Sequence, residues 1–442
     1  MATHMEHRLS EEEVERAKES LQERVWHPHS LFPPPLPLRD ELAVTPHSVP
    51  ETPGAPFCRK LRTRIAWWQL HATPDVVRLI THGVGEGFPS EAFLRSVRPC
   101  PSKAKSPSEV EGALKVLEEY REAGAVVPIK AGSAPYLLPW FVVEKIEDSG
   151  ETKLRLITDA RKLNRFLNPT YFRLDNWSSI LPHLEPGMFA FKVDLKHAYF
   201  HLPLARELSR LVCLEVGGQE FQFVAAPFGL NVLPQLWQNV MKTFLRKWRS
   251  VGIQVFIYLD DILVVGKSRG SLEKSKTLVL QDLESSGLTI NRKKSQLEIC
   301  QKLNHLGFCL NLKDGLLEIP PYKLKAAKRE LGKLVRVQSM SARKLASVLG
   351  TVRSLLPAAP FLRAFTDVLS HLVKTYSLVS WDAVVPLPVQ LRAEIRELKN
   401  IWEQWKGRNF GGKVVSKNVH SDSSDWGWGA PTNFGEKEKS FI

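Results

Sequence analysis

Cysteine is scarce in this chain, with five residues among 442 and no Cys-x-x-Cys pair or Cys/His cluster. Scattered cysteines in an odd number argue against a disulfide framework and against zinc knuckles. They suit a reducing compartment, so we expect an intracellular protein, cytoplasmic, nuclear or both. The five are Cys58, Cys100, Cys213, Cys300 and Cys309.

Long apolar runs are also missing. No segment approaches the roughly 20 apolar residues of a membrane span. The N-terminus begins with charged and polar residues instead of an apolar signal core. The composition, 43% hydrophobic and 24% charged, is typical of a soluble globular protein. We therefore expect no membrane partner.

Acidic residues are outnumbered by basic ones. Lys plus Arg number 61 and Asp plus Glu number 47, which gives a formal net charge of +14. A surplus of this size suits a phosphate-rich partner, because neutralising phosphates releases condensed counterions. Basic charge also fits other roles, so it supports nucleic-acid binding without establishing it.

Proline is concentrated in residues 1–56, which are predicted to form a flexible, extended arm. A lead-in segment, residues 57–108, follows and carries Trp67 and Trp68 beside basic residues. The two tryptophans fit two interpretations. They could stack on single-stranded nucleic acid, or they could anchor the lead-in segment on the main core. The second interpretation is favoured.

Hydrophobic periodicity predicts a mixture of helices and strands in the remainder of the chain. Helices are predicted at 109–123, 234–248, 271–285, 323–337, 341–355 and 361–375. Strands are predicted at 136–143, 153–157, 188–193, 211–215, 220–224, 253–257 and 262–265, with a basic strand and turn at 288–297.

The tetrad Tyr258-Leu259-Asp260-Asp261 stands between two apolar, β-forming runs. Because Asp is tolerated in turns and disfavoured in strands, the pattern predicts two adjacent carboxylates at the tip of a buried hairpin. Two such charges repel each other unless a cation lies between them, and oxygen ligands suit Mg²⁺. Taken alone, however, this tetrad is more often an ordinary hairpin turn.

Asp194 supports a functional interpretation of the tetrad, because this further carboxylate lies at the end of the predicted strand at 188–193. One antiparallel sheet could bring this carboxylate beside Asp260 and Asp261. Three carboxylates can hold two Mg²⁺ ions, or Mn²⁺ as a substitute, about 3.5 to 4 Å apart for in-line attack of a hydroxyl on a phosphate. All three are therefore candidate catalytic and metal-binding residues.

The order of these blocks resembles a retroelement reverse transcriptase between about Glu119 and Leu310. The resemblance is carried by Leu154 to Asn164, by the segments around Asp194 and Pro227-Phe228-Gly229, by the Tyr258 tetrad, by Gly287 to Asn291 and by Leu306-Gly307-Phe308. It implies an α+β right-hand polymerase. The implied division is fingers and palm at 109–315, a helical thumb at 316–378 and a connection at 379–413.

The resemblance also implies roles for residues around the incoming nucleotide. Lys145 and Arg155 match positions that grip the triphosphate. Tyr199 matches the bulky residue that leaves no room for a ribose 2′-hydroxyl. Phe228 stands where many retroviral relatives carry Gln, which leaves an apolar contact with base or sugar.

Two adjacent lysines match one further position of the family. Lys294, or its neighbour Lys293, corresponds to the lysine proposed to protonate the leaving pyrophosphate. Without the family pattern, both would be interpreted as part of a basic turn.

The end of the chain, residues 414–442, resembles the opening of a retroelement ribonuclease H domain, with Asp422 as its first metal carboxylate. The other acidic residues of such a nuclease do not follow before Ile442. We therefore expect no ribonuclease H activity, and a truncated protein or gene copy. The amino-acid sequences of these blocks are most similar to those of tyrosine-recombinase retrotransposons of the DIRS and Ngaro type. LTR elements and pararetroviruses are the nearest alternatives.

The leading functional hypothesis is an RNA-directed DNA polymerase of a retrotransposon, which would also copy DNA. Its partners would be an RNA or DNA template-primer and deoxynucleoside triphosphates. A second hypothesis is a nucleic-acid-binding relic without catalysis. A third, an RNA-templated RNA polymerase, is disfavoured by Tyr199.

Overall fold

The computed structural model describes residues 57–97, 105–146, 152–411, 422–424 and 427–429. The arm predicted for residues 1–56 lies outside this part of the chain. The fold combines helices with sheets whose paired strands all run antiparallel within the described residues. None of the helices there has the length and apolar character needed to cross a membrane.

The helices are numbered in chain order. They are α1 (Phe57–Thr63), α2 (Ile65–His71), α3 (Pro74–His82), α4 (Ser90–Ser96), α5 (Pro107–Glu122), α6 (Arg161–Asn164), α7 (Trp177–Ile180), α8 (Arg206–Ser209), α9 (Leu233–Ser250), α10 (Arg269–Ser286), α11 (Pro321–Arg336), α12 (Ala342–Arg353), α13 (Leu362–Ser377) and α14 (Val389–Gln404). Two 3₁₀ turns cover Leu181–His183 and Ala198–His201.

The strands are numbered in the same way. They are β1 (Val126–Ile129), β2 (Trp140–Ile146), β3 (Thr152–Thr158), β4 (Phe189–Asp194), β5 (Cys213–Val216), β6 (Gln219–Phe223), β7 (Gln254–Tyr258), β8 (Asp261–Gly266), β9 (Gln296–Cys300), β10 (Lys302–His305), β11 (Phe308–Asn311), β12 (Leu316–Glu318), β13 (Ser339–Ser341), β14 (Val384–Pro386), β15 (Arg408–Asn409), β16 (Asp422–Ser424) and β17 (Gly427–Gly429).

The central sheet has the strand order β7-β8-β4-β9. Successive side chains of a strand point to opposite faces, and in β8 both faces are covered. Ile262 and Val264 belong to one buried core, while Leu263 and Val265 belong to another. This double burial explains why the strand is an unbroken apolar run instead of an alternating one.

Helices α9 and α10 cover one face of the central sheet, and the lead-in segment packs against these two helices. The buried side of α9 includes Val240, Phe244 and Trp248, spaced by four residues as the helical period requires. Trp68 is fully buried there, and its indole N–H donates to the Ser286 carbonyl at 2.9 Å. The half-buried Trp67 ring stacks on Phe244. The anchoring interpretation of the tryptophan pair is confirmed.

The hairpin of β2 and β3 has a register that pairs Val143 with Arg155 and Lys145 with Lys153. Its turn lies outside the described residues. The predicted strand start at 136 is wrong, because β2 begins at Trp140. Residues before Pro139 turn to another sheet instead, and the Leu138 N–H donates to the Cys213 carbonyl at 2.8 Å.

The basic segment at 288–297 is also less regular than predicted. Strand β9 begins only at Gln296. The residues before it form irregular backbone that bonds to the chain just after β4, through a single bridge between Leu195 and Ile290. This segment therefore lies directly against the end of the strand that carries Asp194.

Helices α11 to α14 form a separate core, which we call the helical unit. Its first three helices begin and end within two residues of the predicted bounds. Helix α14 was not predicted, although Leu391, Ile395, Leu398 and Trp402 give its buried side a helical spacing. The chain then returns to the sheet β10-β11-β12-β15, where Leu317 pairs with Arg408.

Candidate active site

The strand register places two of the three candidate carboxylates together. Asp194, at the end of β4, lies directly opposite Asp261, at the start of β8. Residues in this relation share one face of the sheet, with Cβ atoms about 5 Å apart. Asp261 also pairs with Tyr258 across the β7–β8 hairpin, which leaves Leu259 and Asp260 as its two-residue turn.

The turn residue Leu259 has a left-handed backbone, with φ of 54°. This conformation is unfavourable for a non-glycine residue and persists only where neighbouring contacts enforce it. The indole N–H of Trp237 donates to the Leu259 carbonyl at 3.0 Å, and the Leu195 N–H donates to the Asp260 carbonyl at 3.1 Å. The buried helix α9 and the end of β4 therefore fix the acidic turn.

The carboxylates crowd one another. Burial, and next the charge of Asp260, raises the pKa of Asp194 to about 6, against the hydrogen bond from the Asn291 side chain. Burial also raises the pKa of Asp260, with a further rise from the charge of Asp261. The fold thus holds negative charges where a nearby cation would stabilise them.

Asn291 and Ser295 bind the backbone at Asp194. The Asp194 N–H donates to Ser295 Oγ at 3.0 Å, and the Asn291 N–H donates to the Asp194 carbonyl at 2.8 Å. The sequence predicted a basic turn here and gave these two side chains no role. Their only signal was that Asn291 lies in a block shared with the resembling family.

Tyr199 and Phe228 lie beside the acids. The Tyr199 ring is buried, and its centroid is 5.0 Å from that of Phe228, whose side chain is 57% exposed. Burial, followed by the charges of Asp260 and Tyr258, raises the pKa of Tyr199 to about 12. The structure therefore gathers these two predicted residues around the acidic turn.

Lys145 and Arg155 are exposed on the β2–β3 hairpin. The register places them on one face together with Lys153. Lys153 lies 3.7 Å from Glu119, and its charge contributes to lowering the pKa of His197 to about 4, after burial and Lys196. The charge of Lys153 therefore reaches His197, which lies three residues after Asp194 in the chain.

One of the two lysines left open by the sequence, Lys294, acts electrostatically on Asp260. Both Lys293 and Lys294 are exposed. The charge of Lys294 lowers the pKa of Asp260, opposing the larger rise caused by burial. This interaction favours Lys294 as the lysine of the site.

Lys192 was missed by the sequence interpretation. Its ammonium lies 2.9 Å from Asp261 Oδ1, and both side chains are largely buried. The available signal was its position two residues before Asp194, which places the two side chains on the same face of β4.

A cavity lies apart from the acids. It measures about 260 Å³ and is lined by Tyr136, Pro139, Asp159, Arg161, Lys162 and Arg165. Arg161 pairs with Asp159 at 2.6 Å within it. The cavity is therefore not the site of the acidic chemistry.

The three acids supply oxygen donors of the kind that Mg²⁺ prefers. The raised pKa values of Asp194 and Asp260 show that a cation would relieve repulsion, so the residue types fit the metal. Within the described residues, no group of three or more His, Cys, Asp or Glu side chains is arranged to hold an ion. Asp422 lies in β16, whose backbone pairs with β17.

Comparison with known proteins shows which family this part of the chain is similar to. Residues 145–310 match the family described as Reverse transcriptase (RNA-dependent DNA polymerase). The Gag-Pol polyprotein of Walleye dermal sarcoma virus is 25% identical over 230 residues, covering 52% of this chain and 12% of that protein. The Pol polyprotein of transposon gypsy from Drosophila melanogaster is 27% identical over 200 residues, covering 45% of this chain and 19% of that protein.

Solved structures of the foamy viral protease-reverse transcriptase in complex with double-stranded DNA share the fold. One matches with a TM-score of 0.56 and 16% identity, covering 78% of this chain and 67% of that chain. A second has a TM-score of 0.57 and 14% identity, covering 86% and 66%. This chain spans less than a fifth of the two polyproteins. Residues 145–310 are therefore similar to the reverse transcriptase domains of retroviral and retroelement Pol proteins.

Proposed function

We propose that this chain is an RNA-directed DNA polymerase that extends a primer with deoxynucleoside triphosphates. The observation that carries this proposal is the placement of Asp194 opposite Asp261, with Asp260 in the adjoining turn. The reverse transcriptase domain covers all three acids. The foamy viral structures contain double-stranded DNA, which supports a template-primer duplex as the partner here.

The right-hand division is part of the same proposal. The central sheet with α9 would be the palm, the β2–β3 hairpin with α5 the fingers, and the helical unit the thumb. The basic face of the hairpin supports the fingers assignment. The surplus of positive charge over the chain supports contact with a nucleic-acid backbone.

Each predicted residue has a task in this proposal. Asp194, Asp260 and Asp261 would hold Mg²⁺, which supplies Lewis-acid charge for attack of a 3′-hydroxyl on a phosphate when it is bound. Arg155 and Lys145 bind the triphosphate oxygens through charge-assisted hydrogen bonds.

The remaining residues shape and protonate the substrate. The Tyr199 ring excludes a 2′-hydroxyl, and the exposed Phe228 ring beside it offers an apolar contact to the sugar or base. Lys294 Nζ donates a proton to the leaving pyrophosphate.

We extend the proposal to the origin and location of the protein. The amino-acid sequences of its motif blocks support an origin in a DIRS- or Ngaro-like retrotransposon. The short β16–β17 hairpin that carries Asp422 is compatible with the opening of a ribonuclease H domain. The scarcity of cysteine supports an intracellular location.

Primer extension tests the main proposal. The purified chain should extend a DNA primer on an RNA template in the presence of Mg²⁺ and deoxynucleotides, and Asp260→Asn should yield no product. Absence of product from the parent, or equal product from both proteins, would contradict the polymerase. A parent that shifts the template-primer in a gel without extending it would instead be a nucleic-acid-binding relic.

Sugar selection should depend on the Tyr199 ring. Tyr199→Ala removes the bulk beside Phe228, so we expect discrimination against ribonucleotides to fall on the order of 10- to 100-fold. The measurement is the ratio of kcat/KM for dATP and ATP. Tyr199→Phe keeps the ring and should keep the ratio. An Ala variant with the parental ratio would refute the role of Tyr199.

A further inference from the structure

The ion pair between Lys192 and Asp261 lies within the acidic site. Lys192 stands on β4 between its pairing partners Leu263 of β8 and Gln296 of β9. Its side chain is only 18% exposed, and that of Asp261 is 24% exposed. This lysine therefore lies beneath the carboxylates and is not an ordinary solvated surface charge.

The contact has the character of a charge pair. The nitrogen lies 2.9 Å from Asp261 Oδ1, yet the angles do not meet those of a hydrogen bond. The charge of Lys192 also acts on Asp194 and Asp260, whose pKa values it lowers against the effect of burial. A single ammonium thus partly neutralises all three acids.

We propose that Lys192 is an internal counterion that competes with divalent metal for Asp261. The inference rests on the proposed function, because it concerns the metal-binding role of the same acids. The Lys192 ammonium and a metal ion both carry positive charge, and both would bind Asp261 Oδ1. Repulsion between them lowers the affinity of the acids for metal alone.

Because of this competition, the incoming nucleotide would also promote metal binding. A triphosphate brings several negative charges to the site, and these offset the repulsion between Lys192 and the metal. The acids would therefore bind metal weakly until a nucleotide arrives. Metal binding by the acids therefore depends on binding of the nucleotide.

His305 offers Lys192 an alternative position. Its ring is 1% exposed, and neither ring nitrogen has a hydrogen-bond partner among the residues that the structure describes. Burial lowers the pKa of His305 to about 4, and the charges of Asp261 and Lys192 both act on it. The ring is therefore neutral near pH 7, and a neutral imidazole nitrogen can accept a hydrogen bond from the ammonium once Asp261 is occupied.

Metal binding without nucleotide tests the competition directly. Mn²⁺ is titrated into the full chain, without primer or nucleotide, and free Mn²⁺ is measured by electron paramagnetic resonance. We expect Lys192→Met to bind Mn²⁺ roughly fivefold more tightly than the parent, the order of effect of one partly buried charge pair. Lys192→Arg keeps the charge and should stay within about twofold of the parent.

Lys247→Met is the matched control. Lys247 forms a comparable, largely buried pair with Asp282 at 2.6 Å, away from the acids. Its replacement should leave Mn²⁺ affinity unchanged. Circular dichroism establishes folding, and Lys192→Gln replaces Lys192→Met if the latter does not fold.

The outcomes separate this inference from the proposed polymerase. Tighter Mn²⁺ binding by Lys192→Met alone supports the counterion. Equal or weaker binding overturns it, even when the parent extends a primer with Mg²⁺. A parent that extends no primer contradicts the polymerase, while the Mn²⁺ comparison still decides the role of Lys192.

Discussion

Asp194→Asn is expected to lower primer extension on the order of 1,000-fold or more and, at the same time, to raise the thermal stability of the protein at pH 8. Activity falls because an amide cannot replace the anionic oxygens of Asp194. Stability rises because burial and the charge of Asp260 make the ionised Asp194 unfavourable in the fold.

The sign of the pH dependence follows from the raised pKa. Asp194 has a pKa of about 6 in the fold and an ordinary value of 3.8. Its neutral form therefore contributes stability below about pH 4, and that contribution is lost as the pH rises through about 6. The gain in Tm of Asp194→Asn should be largest at pH 8 and should disappear near pH 4.

Thermal unfolding in the presence of a chelator, between pH 4 and pH 8, measures this difference. Asp159→Asn is the opposite control, because its hydrogen bond with Arg161 lowers the pKa of Asp159. That variant should gain nothing at pH 8. An Asp194→Asn variant that melts below the parent at pH 8, or a gain that does not change with pH, would contradict the account of carboxylate crowding.

Trp68→Ala is expected to destabilise the protein by about 3 to 5 kcal/mol. The Trp68 side chain is fully buried against α9, and its indole N–H bonds the Ser286 carbonyl at the end of α10. Its loss leaves a large cavity and an unsatisfied carbonyl. Urea unfolding followed by circular dichroism measures the change in free energy.

A second readout concerns the acidic site. Helix α10 ends where the segment that binds Asp194 begins, at Gly287 with φ of 89°. A Cβ atom at this glycine would lie 2.5 Å from the Lys60 carbonyl oxygen. The lead-in therefore packs directly against the chain at Gly287. Trp68→Ala should therefore also weaken primer extension at temperatures where the variant remains folded.

Leu70→Ala is the control for Trp68, because Leu70 lies in the same helix and is 77% exposed. Its free energy of unfolding should stay within about 0.5 kcal/mol of the parent. Parental stability of Trp68→Ala would show that the lead-in segment is not part of the folded unit.

Local patterns predicted the centre of the site well. The apolar runs on either side of Asp260 and Asp261 predicted covered strands with a turn between them. The turn itself is formed by Leu259 and Asp260, because Asp261 already pairs with Tyr258 as the first residue of β8. Asp194 was recognisable in the same way, as a carboxylate at the end of a strand. The pairing of Asp194 with Asp261 then followed from packing two such elements in one antiparallel sheet.

Predictions failed where the partner of a residue was remote in the chain. The segment before Trp140 is apolar enough for a strand, but Pro139 and the bond from Leu138 to Cys213 direct it elsewhere. The apolar residues of α14 have a clear helical spacing. The helix was nevertheless not predicted, because the family resemblance assigned residues 379–413 as a connection. Its apolar side was informative only because the helical unit supplies a core for it.

The sequence by itself determined the acidic hairpin, the basic surplus and most helices, because these depend on residue type and on periods of two or 3.6 residues. Tyr199 and Phe228 were assigned to the site only through the family resemblance. Only the tertiary structure decided that Lys192 pairs with Asp261, that Asn291 and Ser295 bind the backbone of Asp194, and that the lead-in packs against Gly287. Such contacts join segments far apart in the chain. Their formation depends on how the elements pack and exclude water, which no local spacing encodes.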